Sequence, residues 1–522
     1  MMGRKTVVLA LGVSAATLAA WGGSSAAATR ADPTFTYVSQ NTIVTEFDPA
    51  SSYSNEVIAM NNIYEQLTRY DSRSKKVMPL LATAWRSTNG GKTWTFTLRA
   101  GVKFHTGHPV TAAAAKSAIS RTIKLGKGAA YMWAPVKSID APTTTRLVFH
   151  LKEPAPLDLI SSSAYAGYIY DTKAAGSADL AKWFNSGKDA GTGPYTVAKW
   201  EKGKENELRL EANTSYWGGW SGSHYKHVLF KYVPQPTTRA QLFESGEATF
   251  TDRLSPALFK QAQGNSKLQT QTNNSFQNLI AFMNTSSGPL ENLQLRKAVA
   301  LAIDYKGIIA ALKGSAVPAS GFVPEGLLGS TSGLGYRQNV DAAKALVAKS
   351  GLKNVTLSMT HANGDADEAL VATIVKSNLA QIGVKLDVSA VEWQTQWGRG
   401  KSTDPSKRQD IFVMYWYPDY ADPFSWFTNL FKSAEPPYFN MSYLKDAKVD
   451  ATIGTLQALT ATNRGAAANA YAGLQRRLHD AAVAVPLFVQ NYERVLPKGI
   501  KGYVDNPAYA NVAFIHTLTP PS

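Results

Sequence analysis

The chain has 522 residues, of which 54 are Lys or Arg and 38 Asp or Glu, a formal charge of +16. That length exceeds what a single core serves and reads as two or more domains, while the lack of cysteine excludes disulfides, thiolate metal sites and cysteine nucleophiles. The basic residues are scattered, with no block beyond pairs such as Arg476-Arg477 and no nucleic-acid-binding motif, so the charge points to an anionic envelope or to no specific partner, and not to nucleic acid.

At the N-terminus Arg4 and Lys5 precede the uncharged stretch Thr6 to Ala20, a basic region followed by an apolar one too short to span a bilayer. Leu18-Ala19-Ala20 with Gly22-Gly23-Ser24-Ser25 looks like the lipobox of bacterial lipoproteins, except that Trp21 stands where the lipid-bearing cysteine would be. Ala26-Ala27-Ala28 offers the small side chains of an ordinary cleavage site. Residues 1–28 are therefore expected to be an export signal cleaved after Ala28. The mature protein is expected outside the cytoplasm, secreted or associated with the cell envelope, without a lipid anchor. Loss of Arg4 and Lys5 takes the charge from +16 to +14, enough to hold the protein on anionic wall polymer. No second long apolar run follows, and no membrane span is expected.

Thr34 to Ser39 reads as a short strand. From Glu56 to Asp71, Ile58, Ile63, Tyr64 and Leu67 fall at roughly helical spacing. Asn89-Gly90-Gly91 signals a turn, after which Trp94, Phe96 and Leu98 alternate with threonines; Leu147, Phe149 and Leu151 form a second alternating strand. The polar run QTQTNNS, 269–275, is the best candidate for a domain boundary. Beyond it Leu295, Val299 and Ile303 lie four apart on one helical face. Leu370, Ile374, Leu379 and Ile382 repeat the pattern up to Gly383. Val384, Leu386 and Val388 alternate, and Ile411 to Tyr415 reads as a buried strand. Helices alternating with strands argue for an α/β second half. The closing TPPS reads as a loose tail.

Five stretches, in order over most of the chain, resemble the family 5 extracytoplasmic solute-binding proteins, the peptide, dipeptide and nickel receptors of ABC importers. They are residues 63–112, from IYEQLTRYD to HPVTA; GTGPY at 191–195; NTSYWGG at 213–219; LQLRKAVALAID at 293–304; and YWYPDYADP at 415–423. The resemblance implies an α/β fold: a two-lobe, periplasmic-binding-protein-like clamshell (type II, cluster C) with an extra α+β subdomain at about 50–190 in the first lobe. Lobe I would span 29–272 and regain the chain at 490–522, and lobe II would occupy 273–489. Strands near Thr272 to Ser275 and Val489 to Tyr492 would act as the hinge. The implied function is binding of peptides or related amine-bearing solutes between the lobes by a monomer. Delivery would be to the transmembrane subunits of an ABC permease with its ATPase, with no chemistry, cofactor or metal. A receptor for nickel or another small solute of the same family is the alternative.

Asp419 falls where peptide-specific members of the family hold the ligand's α-ammonium; the plain alternative is that it caps a turn before Pro423. Tyr415, Trp416 and Tyr417 precede it, with Trp416 and Tyr417 expected on opposite faces of the strand, so that at most one lines the cleft. Trp393 and Trp397, four apart, would share a helical face. Phe276, just past the hinge, and Tyr37, on the first strand, complete the candidates for the cleft lining, with core packing as the alternative for each. Where some oligopeptide receptors of the family carry a carboxylate-binding arginine, this chain has Val413.

Two rival classes are weaker. Ser72-Arg73-Ser74-Lys75, Tyr53-Ser54-Asn55 and Lys349-Ser350-Gly351 imitate the elements of a penicillin-binding serine hydrolase, but the second precedes the first and Ser72 lies in a polar turn. His105 with His108, and His224 with His227, are three apart without a nearby third metal ligand.

Overall fold

The computed structural model describes residues 32–522; the export signal and Trp21 lie outside the described residues. Among the described residues no helix is long and apolar enough to cross a membrane. Within Pro33–Ser522, which forms one unit, the main sheet has eleven strands. In chain order these are β1 (Thr34–Ser39), β2 (Tyr195–Trp200), β3 (Asn206–Ala212), β4 (His227–Tyr232), β5 (Phe250–Thr251) and β6 (Leu268–Met283). There follow β7 (Ala316–Pro318), β8 (Thr356–Ala362), β9 (Lys385–Val391), β10 (Ile411–Trp416) and β11 (Ala484–Pro497). Their spatial order is β2-β3-β4-β1-β5-β11-β6-β10-β8-β9, with β7 on β11.

The two ends of this sheet have parallel centres. β1 runs parallel to β4 and β5, and β8 parallel to β9 and β10. Between them, β11 and β6 pair antiparallel along most of their length, from Leu268 opposite Pro497 to Phe282 opposite Ala484. The ladder shifts register between Asn274 and Asn278. The expected α/β class is thus present. The polar run at 269–275, where a hinge strand was expected near Thr272 to Ser275, is the first half of β6.

The other expected strands form where alternation placed them. Ala82–Thr88, Thr93–Leu98, Arg146–Leu151 and Val136–Asp140 make a four-stranded antiparallel side sheet in that spatial order. Trp94, Phe96, Leu98, Leu147, Phe149 and Leu151 point into its core while their threonine and charged neighbours face out. The helix Ala112–Leu125 covers it with Ala115, Ala118 and Ile119. Its start is capped by the Thr111 hydroxyl, which accepts from the Ala114 N–H, and it ends at Gly126 in the left-handed region. The helices Leu293–Ala302 and Ala366–Gln381 also form, the latter followed by Gly383 at φ +76°.

One expected element is corrected. Glu56 to Asp71 holds only the short helix Val57–Met60, then the strands Glu65–Gln66 and Thr68–Asp71. The chain leaves the helix because Asn62 turns inward. Its amide donates to the Ala513 carbonyl at 3.0 Å and accepts from the Ile515 N–H at 3.0 Å. The glycines of GTGPY settle against this turn, where a Cβ on Gly191 would stand 2.0 Å from the Ile63 carbonyl oxygen. Contact that close admits only glycine. Replacing Gly191 by alanine is expected to destabilise the protein by about 2 kcal/mol or more, read as a lower urea midpoint with an unchanged slope.

Candidate functional site

Strand β10 delivers the site. Its interior residues Ile411 to Met414 are buried between β6 and β8, and the strand stops at Trp416, short of Pro418, whose ring carries no N–H for a ladder. The chain then turns through Tyr417-Pro418-Asp419, beside a cleft of about 970 Å³.

Asp419 is 2% exposed. Its carboxylate accepts from the Tyr53 hydroxyl, at 3.0 and 3.2 Å to its two oxygens, and from the Tyr131 hydroxyl. Its own carbonyl accepts from Ser163 Oγ at 2.7 Å. Tyr131 is oriented in turn by Asn429, which donates to its hydroxyl at 3.0 Å. Among the described residues no ammonium or guanidinium pairs with Asp419. Burial consequently pushes its carboxyl up to about 6, against the hydrogen bonds from Tyr131 and Tyr53 that favour the charged form. The titratable groups around it are tyrosines: Tyr53, Tyr131, Tyr165, Tyr417, Tyr420 and Tyr438. All are raised above the usual phenol range by burial first and by Asp419 among the later causes.

The turn-capping alternative belongs to a different residue. Asp422 accepts from the Phe424 N–H at 2.8 Å and from the Tyr471 hydroxyl at 2.6 Å, at the head of the helix Phe424–Leu430. Asp419 makes no such bond and faces the cleft.

Six of the eight candidate residues come together here: Asp419, Tyr415, Trp416, Tyr417, Trp393 and Trp397 all line the cleft. The two tryptophans of the helix Trp393–Gly400 stack, with ring centroids 5.7 Å apart at 19°. Trp397 and Trp416 both meet Phe439, at 4.7 and 5.0 Å. The expectation that only one of Trp416 and Tyr417 could line the cleft is corrected. Alternation between faces holds inside a strand, and the strand ends between them.

Tyr37 and Phe276 are placed elsewhere. Tyr37 is fully buried between Phe230 and Phe250, and its hydroxyl donates to the Asn511 carbonyl at 3.0 Å. Phe276 is buried with its ring against Gly326, where a Cβ would lie 3.1 Å away. Both are core residues, as apolar side chains on central strands generally are.

Sequence reasoning missed Tyr131, which donates to Asp419, and on the cleft walls Tyr53, Tyr165 and the acids Asp365, Glu368 and Glu392. Tyr165 stands edge-on to Tyr53 at 5.1 Å. Asp365 caps the helix Ala366–Gln381, accepting from the N–H groups of Asp367 and Glu368. Glu368 accepts from the Ala362 N–H at 2.7 Å, and burial pushes its carboxyl up to about 8. Val413 is fully buried opposite Ala281, so that position offers the cleft no cation.

The rival motifs are occupied structurally. Ser72 Oγ donates to the Asp505 carbonyl at 2.9 Å. His105 binds Asp189 and the Gly193 carbonyl, His108 binds Asp171 at 2.7 Å, and His227 binds Glu211. His224 stacks on Trp220 at 4.3 Å.

Comparison with known proteins shows what the chain is similar to. The chain is 28% identical over 482 residues to the probable D,D-dipeptide-binding periplasmic protein DdpA of Escherichia coli, covering 90% of this chain and 92% of that one. It is 27% identical over 473 residues to the nickel-binding periplasmic protein of the same species, covering 83% and 84%. In fold it matches the crystal structure of NikA from Brucella suis in complex with Fe(III)-EDTA, with a TM-score of 0.81 at 23% identity over 94% of this chain and 100% of that one. The model of the bacterial extracellular solute-binding proteins, family 5, matches residues 76–437. With that model matched over more than half of the sequence, the chain belongs to the family 5 bacterial extracellular solute-binding proteins.

Proposed function

We propose that the protein is an extracytoplasmic peptide receptor in which Asp419 binds the ligand's α-ammonium group. The observation that carries this reading is a buried carboxylate, ringed by hydroxyls and lacking a counter-ion, that opens into a cleft large enough for a short peptide. A carboxylate held out of water needs a cation to offset its desolvation, and the α-ammonium is the cation every peptide with a free amino terminus carries. The strand edge and aromatic walls beside it suit a backbone read without regard to sequence. The histidines supply no set of nitrogens at the cleft, which favours the amine-bearing ligand over nickel.

On this reading 29–272 with 490–522, and 273–489, are the two lobes, and strands β6 and β11 between them are the hinge. Contacts made to both lobes at once exist only when they close, so the ligand selects the closed form. Moving from mostly open to mostly closed takes about 5 kcal/mol of differential affinity, and micromolar binding supplies about 8 kcal/mol. The closed monomer would then be what the transmembrane subunits of an ABC permease and its ATPase receive, outside the cytoplasm. No bond is made or broken.

Titration calorimetry with Ala-Ala-Ala and its N-acetyl form tests this. Acetylation removes the charge and is expected to weaken binding on the order of a hundredfold; equal affinities would refute the proposal. The pH dependence follows from Asp419. The ligand needs its own α-ammonium protonated and the carboxylate ionised, so affinity peaks near pH 7, falls above about pH 8 as the amine loses its proton, and declines as pH drops through the empty site's value of about 6. Between pH 7 and pH 5 trialanine is expected to bind about tenfold more weakly; a flat profile over that range would assign the ammonium to another group.

A further inference from the structure

Around Asp419 a basic protein encloses an acidic cavity. The cleft carries Asp365, Glu368 and Glu392 besides Asp419, and neither lysine nor arginine is among the described residues that line it. It continues past Tyr415 and Tyr417 into an inner chamber of about 150 Å³, since these two, with Gln40, Asn41 and Asp365, line both spaces.

The chamber sets Asp252, Asp365 and Glu493 against one guanidinium, that of Arg253. Arg253 is already committed. It forms an ion pair with Asp367, and the Gln490 amide oxygen accepts from its Nη1 at 2.8 Å. Three buried acceptors belong to residues that line the chamber. Asp252 Oδ1 and Asn491 Oδ1 have no hydrogen-bond partner, and Tyr492, 2% exposed, keeps its hydroxyl without one. Burial raises Glu493 to about 7, and raises Asp252 against the pull of Arg239, Arg494 and Arg253. Buried carboxylates need a cation to offset their desolvation, and Asp252, Asp365 and Glu493 together outnumber the one guanidinium that lines the chamber.

We propose that the inner chamber receives the cationic head of a basic side chain, so that the preferred ligand is a peptide with lysine or arginine near its amino terminus. This rests on the assignment of the α-ammonium to Asp419. The spacing fits. Tyr415, which lines the chamber, and Asp419 are four residues apart, at most about 14 Å of chain. An extended peptide advances roughly 3.3 Å per residue, and the flexible stem of a basic side chain adds its own reach. The second charge therefore belongs on one of the first three residues. A planar guanidinium, with five donors, matches the spread of acceptors better than an ammonium does.

The test is a calorimetric series on the full protein: Ala-Ala-Ala, Lys-Ala-Ala, Ala-Lys-Ala, Ala-Arg-Ala, Ala-Glu-Ala and spermidine. The better-placed basic peptide is expected to bind at least tenfold more tightly than trialanine, and the glutamate peptide more weakly. Glu493→Gln and Asp365→Asn are each expected to reduce the ratio of basic to neutral affinity at least threefold; the asparagine retains a capping oxygen for the helix. Equal affinity for trialanine and all the basic peptides would overturn the chamber's role while leaving the α-ammonium site standing. Binding of spermidine alone, or of nothing in the series, would remove the α-ammonium reading and this inference with it.

Discussion

Asp419→Asn is expected to change two quantities in opposite directions: the empty protein melts higher at pH 8, and peptide affinity drops by two to three orders of magnitude. The first effect follows from the carboxyl's elevation to about 6 in the folded protein, against about 3.9 in an unfolded chain. A carboxyl raised on folding binds its proton more tightly in the native state, so ionising it costs stability. That cost is negligible below pH 4, grows between pH 4 and pH 6, and is fully present above. With the side chain almost wholly buried, solvent screens little of it, and the penalty is on the order of 2–3 kcal/mol at pH 8. Asparagine keeps the shape and never ionises, so a rise of a few degrees in Tm is expected at pH 8 and none at pH 4. The second effect is the converse. The carboxylate that strains the empty protein is the one a cation relieves, and an ammonium buried without its anion loses about 3–5 kcal/mol. A variant that melts below the wild type at pH 8 and still binds trialanine normally would defeat both halves of the argument.

Removing the guanidinium of Arg494 is expected to give the largest loss of stability from any single polar change considered. Arg494 is completely buried on β11. Its Nε donates to Asp505 at 3.0 Å, its Nη1 to the Asp252 carbonyl at 2.7 Å, and its plane lies 4.1 Å from the centre of the Tyr492 ring. The Asp505 carboxylate, itself buried, also accepts from Tyr503 at 2.8 Å and Asn273 at 2.7 Å. Arg494→Met fills much the same volume and strands that carboxylate, at a cost of about 3–5 kcal/mol. Adding Asp505→Asn removes the stranded charge and is expected to recover more than half of the loss. Urea unfolding of the single and double variants measures this as a coupling energy. If the double variant is no more stable than Arg494→Met alone, the cost lies in packing and not in charge.

What the sequence disclosed and what it withheld divide along a physical line. Alternation in Thr93–Leu98 and Arg146–Leu151 was sufficient because each strand buries one face locally. The stretch after Glu56 deceived because its turn is set by Asn62 bonding to residues more than 450 positions away. The polar run at 269–275 has the composition of a loop. It forms a strand because β11, some two hundred residues on, supplies the ladder. At the site Asp419 was legible from its motif and the two tryptophans from their spacing. The hydroxyls that hold Asp419 were not. Tyr53 and Tyr131 reach it across separations of 366 and 288 residues, from a loop and a short 3-10 turn that carry no local mark of a role. The acids on the far wall were hidden for a related reason: Asp365 reads as a helix cap, and it is one.

Three of the lining residues share an address at segment ends, unlike Tyr415 and Trp416, which lie in β10. Asp365 stands just before a helix, Trp393 opens another, and Asp419 follows a strand that has already ended. None of these positions lies within the ladder of the main sheet. Evolution can therefore exchange these cleft-lining side chains with little damage to foldedness, while Gly191 tolerates no side chain at all. One inherited frame can in this way be retuned from cargo to cargo by drift at a handful of segment ends.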